Sequence, residues 1–133
     1  MRHRAGIVIY CPSEKKILLI HRKKNNAEYW VAPGGGLEAG ENYEQAAARE
    51  LMEELELSVQ RMSELCTVNL ATGVEKYFIS YSDSCKNVTM HGEELKRSTL
   101  DNIYEPAWVD IARIRHITLL PAELKNRLLE KKF

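Results

Sequence analysis

The sequence predicts an α/β fold in one domain, and three observations carry that prediction. Short apolar runs with strand character recur at Arg4 to Tyr10, Ile17 to Ile20, Tyr29 to Ala32, Met62 to Ala71, Val74 to Tyr81 and Glu105 to Asp110. Between the third and the fourth, Gly34 to Gly36 open onto a Glu- and Ala-rich stretch with helical periodicity. At 133 residues, the chain has the size of one domain, residues 1–133, with a buried core.

Composition narrows the function classes. Hydrophobic residues make up 44% and charged residues 29%, the balance of a soluble globular chain. Lys+Arg and Asp+Glu number 19 each, so there is no strong nucleic-acid signal and an anionic ligand must be met by a local patch. No run is long enough to span a membrane. Met1 to Cys11 lacks a small-residue cleavage site and runs into a turn at Pro12 to Lys16, so it reads as a first strand, not a signal peptide. Cys11, Cys66 and Cys85 are odd in number and far apart, with neither metal-ligand spacing nor a disulfide framework, which suggests a reducing cytoplasm. The four histidines, His3, His21, His91 and His116, are scattered, none is read as a ligand, and no nucleophile triad is visible.

The elements follow in order. The unbroken Ile17-Leu18-Leu19-Ile20 predicts a central strand buried on both faces. His21 to Lys24 is then a basic cluster. It is either a solvated edge that discourages aggregation or, through Arg22, a contact to substrate phosphates. Arg2 and Arg4, alternating on one side of the first strand, carry the same two readings. Tyr29 and Trp30 are suited to stack on a base, although packing is the commoner fate of such aromatics.

Asn42 is a good N-cap, with Gln45 completing a capping box. Glu50, Glu53 and Glu54 stand at i, i+3 and i+4 and share one helix face. Ala48, Leu51, Met52 and Leu55 read as the apolar stripe opposite. Arg49 lies four residues before Glu53 and can pair with it. Three close carboxylates repel when bare, and Mg²⁺ or Mn²⁺ relieves that repulsion because hard cations prefer oxygen ligands. On spacing alone, a solvated acidic face is the better explanation of the three.

After the helix, two strands flank a hairpin at Thr72-Gly73. Ser82 to Asn87 reads as a loop and Val88 to Met90 as a short strand. His91 to Tyr104 is polar and irregular, and it carries Glu93, Glu94 and Asp101. Glu105 to Asp110 is a strand with a buried Trp108, followed by Ile111 to Ile114 and by a closing helix. Pro121 suits that helix's first position, Leu124 and Leu128 share a face, and Lys131 and Lys132 suit its C-terminal dipole.

The stretch from Gly35 to Leu57 resembles the Nudix box. The matches are Gly35, Glu41, Arg49, Glu50, Leu51, Glu53, Glu54 and Leu57. With roughly 7% odds at each of the six fixed Gly, Glu and Arg positions, a chance match at one start is about 10⁻⁷. The closing glycine of the pattern is Glu56 here. A glycine there is a left-handed helix cap, so the helix exit is where this chain departs from the family.

The resemblance implies an α/β/α sandwich with a central mixed β-sheet. It implies a divalent metal, Mg²⁺ or Mn²⁺, held by Glu50, Glu53, Glu54 and the Gly35 carbonyl. Arg49 and Glu50 would serve catalysis, and Glu41 would brace the loop–helix junction by pairing with Arg49. Glu94 and Glu93, with Asp101 behind them, are candidates for a further acid on the late loop. Arg4, Arg22, Tyr29 and Trp30 are the candidate substrate contacts. The implied activity is hydrolysis of a nucleoside diphosphate linked to another group, a small-molecule nucleotide. The patterns of NADH-, coenzyme A- and ADP-ribose-cleaving relatives are not met, which leaves nucleoside triphosphates and dinucleoside polyphosphates. A second class is a nucleotide-binding sensor or scaffold without turnover, which only Glu56 favours. Monomer and homodimer are both open.

Overall fold

The computed structural model describes residues 1–88 and 102–133. In chain order these form β1 (Arg2–Cys11), β2 (Lys16–Lys24), β3 (Ala27–Val31), β4 (Gly34–Gly36), α1 (Tyr43–Leu55), β5 (Ser63–Leu70), β6 (Gly73–Tyr81), β7 (Asn102–Asp110), a 3₁₀ helix at Ile111–His116 and α2 (Ala122–Glu130). The seven strands make one mixed sheet. β1 pairs with β6 in parallel along Arg2–Tyr10 and antiparallel with β2 only at Ile9–Cys11. Where β1 and β2 part, β4 pairs with β1 at Arg4–Gly6 and β3 pairs with β2 at Ile20–Lys24. β7 covers the other edge of β2 along its whole length.

Side chains of a strand alternate between faces, and β1 shows the consequence. Ala5, Ile7 and Ile9 pack with Leu18, Ile20 and Phe78 against Ala46, Ala47, Leu51 and Leu55 of α1. Val8 and Tyr10 join Ile17, Leu19, Ile79 and Val109 under Ile114, Leu124 and Leu128 on the opposite face. The sandwich therefore has α1 on one side and α2 with the 3₁₀ helix on the other. Ile17 to Ile20 are almost wholly buried, as a two-faced central strand requires. Each such side chain contributes about 1.5–3 kcal/mol by leaving water.

Several local expectations change. The three glycines are a paired strand, not a flexible loop, because the absence of side chains lets β4 lie directly on β1. A Cβ on Gly34 would collide with the carbonyl oxygen of Ala5. The buried stripe of α1 is Ala46, Ala47, Leu51, Leu55 and Glu54. Ala48 is exposed and Met52 is 47% exposed, since the sheet meets the helix nearer its acidic face than the apolar spacing suggested. Asn102 to Tyr104 belong to β7, not to an irregular loop, because pairing with Lys24 to Arg22 supplies their hydrogen-bond partners. Val88 lies in an irregular run, and the rest of the expected Val88–Met90 strand falls outside the described residues. Trp108 is half-buried. Pro121 is the N-cap of α2, one residue before its first turn. Cys11 and Cys85, expected to be unpaired, form a disulfide. Distance along the chain concealed a pair that the β1–β6 ladder brings together.

Gly34→Ala should lower stability by about 3 kcal/mol or more through overpacking against a backbone that cannot yield. The check is the urea midpoint at unchanged m-value.

Candidate metal-binding active site

The start of α1 sets the register of its acidic residues. Asn42 Oδ1 accepts from the Gln45 backbone N–H at 2.8 Å, and Gln45 Oε1 accepts from the Asn42 N–H at 2.9 Å. This capping box satisfies two otherwise orphaned donors. The other end is held by Glu56 in a left-handed conformation (φ 53°), its N–H bonded to the Met52 carbonyl at 3.0 Å. A glutamate thus occupies a cap geometry that costs a non-glycine residue on the order of 1 kcal/mol.

Arg49 is the hub. Its Nε and Nη2 grip Glu41 in a fork, at 2.7 and 3.0 Å. Nη2 also donates to the Gly36 carbonyl at 2.9 Å, tying the helix to β4. Nη1 donates to Glu50 Oε1 at 3.0 Å and to Glu53 Oε2 at 3.2 Å, and it lies 3.5 Å from Glu38. The planar fork of an arginine fits such bidentate contacts, where a lysine would not. The Glu41 hydrogen bonds, followed by those to Glu50 and Glu53, hold Arg49 firmly in its charged form. In turn, the Arg49 hydrogen bond, with help from the Glu38 N–H, pushes the Glu41 carboxyl below its ordinary 4.5. Glu41 is therefore a brace, charged and saturated by Arg49.

Glu50 sits on β4. A Cβ added to Gly35 would lie 2.5 Å from the Glu50 carboxyl carbon, so only glycine leaves room for that carboxylate. The Glu50 side chain is 15% exposed and that of Glu53 is 56% exposed, while Glu54 is buried. The structure thus brings Gly35, Glu41, Arg49, Glu50 and Glu53 together, with Glu54 on the buried side of the same helix. Their chemistry fits a hard divalent cation: carboxylate oxygens, backed by a backbone strand, with the Arg49 guanidinium shared among Glu38, Glu41, Glu50 and Glu53. Among the described residues no three of these acids bring their oxygens within 4.8 Å of one another. Like-charge repulsion and the competing guanidinium account for that spread. The exposed Glu53 has the rotamer freedom to close it.

Arg22 and Tyr29 are paired across β2 and β3. The Arg22 guanidinium lies 3.6 Å from the Tyr104 ring centre and 5.4 Å from that of Tyr29. Its buried Nε has no hydrogen-bond partner among the described residues. By alternation from Leu18 and Ile20, these residues share the sheet face that carries α1. Tyr104 was missed, and only the β2–β7 register reveals it. Glu38 and the Gly36 carbonyl were missed too, since neither has a spacing signal. Trp30 and Arg4 fall on the opposite face. Trp30 stacks on His21 with ring centres 4.4 Å apart and is anchored by backbone bonds to Thr118 and Leu120. Arg4 stands beside Glu75 in the β1–β6 register. Glu93, Glu94 and Asp101 lie outside the described residues. Beyond the end of α1, a cleft of about 570 Å³ runs between Leu57–Arg61 and Ser80–Ser84, with Lys86 and Trp108 at its side.

Because the folded-state carboxyl of Glu41 titrates below its unfolded value, its stabilisation is complete above pH 4.5 and is lost as pH falls through the folded value. Glu41→Gln should be less stable than the parent at pH 7, and the gap should narrow below pH 4.5 in denaturation curves. Gly35→Ala should displace Glu50 and cut activity about 10–100-fold in a steady-state assay.

A family model described as the NUDIX domain matches residues 1–128. The fold is similar to that of MutT from work on Aliivibrio salmonicida and Vibrio cholerae, with TM-score 0.73, 22% identity and 98% of both chains covered. A MutT NUDIX hydrolase from Burkholderia pseudomallei gives 0.69, 24% and 98% of both chains. A Caenorhabditis elegans Ap4A hydrolase, solved as a binary complex, gives 0.70 and 22%, with 96% of this chain and 93% of that one covered. With the family pattern matched over nearly its whole length, and the braced acidic helix that pattern describes, the chain belongs to the NUDIX domain family of hydrolases that act on pyrophosphate bonds.

Proposed function

We propose that this chain cleaves the diphosphate bridge of a nucleoside diphosphate linked to another moiety, with a nucleoside triphosphate or a dinucleoside polyphosphate as substrate and Mg²⁺ or Mn²⁺ as cofactor. The observation that carries this reading is the Arg49 hub, which holds Glu50 against Gly35 and keeps Glu53 beside it. When bound, a divalent ion neutralises diphosphate charge and acidifies a water. Glu50, Glu53, Glu54 and the Gly35 carbonyl would hold it. Glu50 would take a proton from an attacking water, with Glu94 or Glu93 as further acids. Attack in line at phosphorus then expels the leaving phosphate oxygen. Arg49 positions the acids. Arg22 and Tyr29, with Tyr104, offer a desolvated cation and ring faces to an anionic aromatic ligand. The name of one similar fold, Ap4A hydrolase, is in keeping with a dinucleoside polyphosphate.

A panel of nucleoside triphosphates, dinucleoside polyphosphates and other nucleoside diphosphate derivatives, incubated with Mg²⁺ or Mn²⁺ and resolved by chromatography, tests the reaction. Glu53→Gln should lose about 10–100-fold in activity and the rise in melting temperature that Mg²⁺ brings to the parent. Equal activity in both proteins would remove Glu53 from the metal site. Tight nucleotide binding with no product on prolonged incubation would favour a sensor instead.

A further inference from the structure

We propose that Cys11 and Cys85 are a reversible thiol–disulfide pair that sets one wall of the cleft beside the carboxylate helix. The two sulfurs are bonded across a sequence separation of 74, with Cα atoms 6.0 Å apart, well within the ordinary range for disulfides. Cys11 ends β1 and is fully buried, whereas Cys85 is half-buried in the irregular run after β6. One residue on, the Lys86 carbonyl accepts from Trp108 Nε1 at 2.7 Å. The segment is thus held at adjacent points, covalently to β1 and by hydrogen bond to β7.

The placement ties this clip to the cleft. Ser82, Ser84, Lys86 and Trp108 line one side, and Leu57 to Arg61 line the other. Leu57 lies just three residues beyond Glu54. The last backbone bond of the β1–β6 ladder region runs from the Ser82 N–H to the Tyr10 carbonyl at 2.8 Å. Cys85 belongs to neither apolar cluster, although Val88, three residues on, packs against the one under α1. Reduction therefore removes the covalent hold of Cys85 on β1, while the Lys86–Trp108 hydrogen bond and the sandwich stay in place.

The chemistry balances with a low-molecular-weight disulfide as oxidant. The more exposed Cys85 thiolate attacks one sulfur of that disulfide, forms a mixed disulfide and expels one thiolate. The Cys11 thiolate then attacks Cys85 Sγ and expels the second. Two cysteine thiols lose two electrons, one small disulfide gains them, and two small thiols carry away the two protons. Glu14 offers a carboxylate oxygen within 4.8 Å of both sulfurs.

The consequence for turnover rests on the hydrolase reading, but two of the readouts do not. The full chain would be equilibrated in a series of reduced and oxidised glutathione buffers. Thiols titrated after denaturation should rise from one, Cys66, to three across the series. Trp108 emission, read in a Trp30→Phe background, should shift over the same buffers. KM for the best panel substrate should rise about fivefold or more on reduction, with kcat nearly unchanged. A Cys11→Ser/Cys85→Ser variant should hold the reduced KM throughout. A constant thiol count, or a changing count with Trp108 emission and KM both unmoved, would overturn the proposal. If no substrate turns over, the thiol count and the emission still decide it.

Discussion

The Arg49 guanidinium is the interaction on which the site's geometry depends. Single exposed ion pairs contribute roughly 0–1 kcal/mol each, so no one of its contacts matters much alone. Their convergence does. One planar group ties β4 to α1 through the Gly36 carbonyl and aligns Glu41, Glu50 and Glu53 around itself. Without it, carboxylates this close would splay. Glu41, saturated by the fork, frees Glu50 and Glu53 from a purely structural role.

The sheet makes that convergence possible. β1 and β2 pair briefly and then separate, and the gap admits a strand made only of glycines. Because Gly34 and Gly35 carry no side chains, the backbone approaches β1 on one side and the Glu50 carboxylate on the other. The divergence of β1 and β2 also presents Arg22, Tyr29 and Tyr104 on the α1 face of β2, β3 and β7. Parallel pairing of β1 with β6 places the exit of β6 next to the end of β1, where Cys11 meets Cys85. The acidic helix, the aromatic clamp and the sulfur clip therefore follow from one topology.

Local signals in the sequence were strong wherever one residue type has one use. The capping box at Asn42 and Gln45 and the two-faced Ile17 to Ile20 strand were legible from neighbours in the chain, whereas the left-handed exit was not, because Glu56 stands where the family pattern has glycine. The Gly35 to Leu57 spacing was too regular to be chance, and it pointed to the family and to the reaction class. The helix stripe was less legible. Ala48 and Met52 have the right spacing for a core, but a helix cannot report which side the sheet will take.

What the sequence determined by itself was both helices, most of the strands and the acids that α1 displays. Propensity, capping and helical period act over a few residues, and a chain can be read that far. The tertiary structure alone decided which distant groups meet: Arg49 with the Gly36 carbonyl, Arg22 with Tyr104, Trp108 with the Lys86 carbonyl and Cys11 with Cys85. It also sent Arg4 and Trp30 to the face away from the acidic helix. Those outcomes hang on strand order and on register, where a shift of one residue exchanges the faces, and no local pattern encodes them.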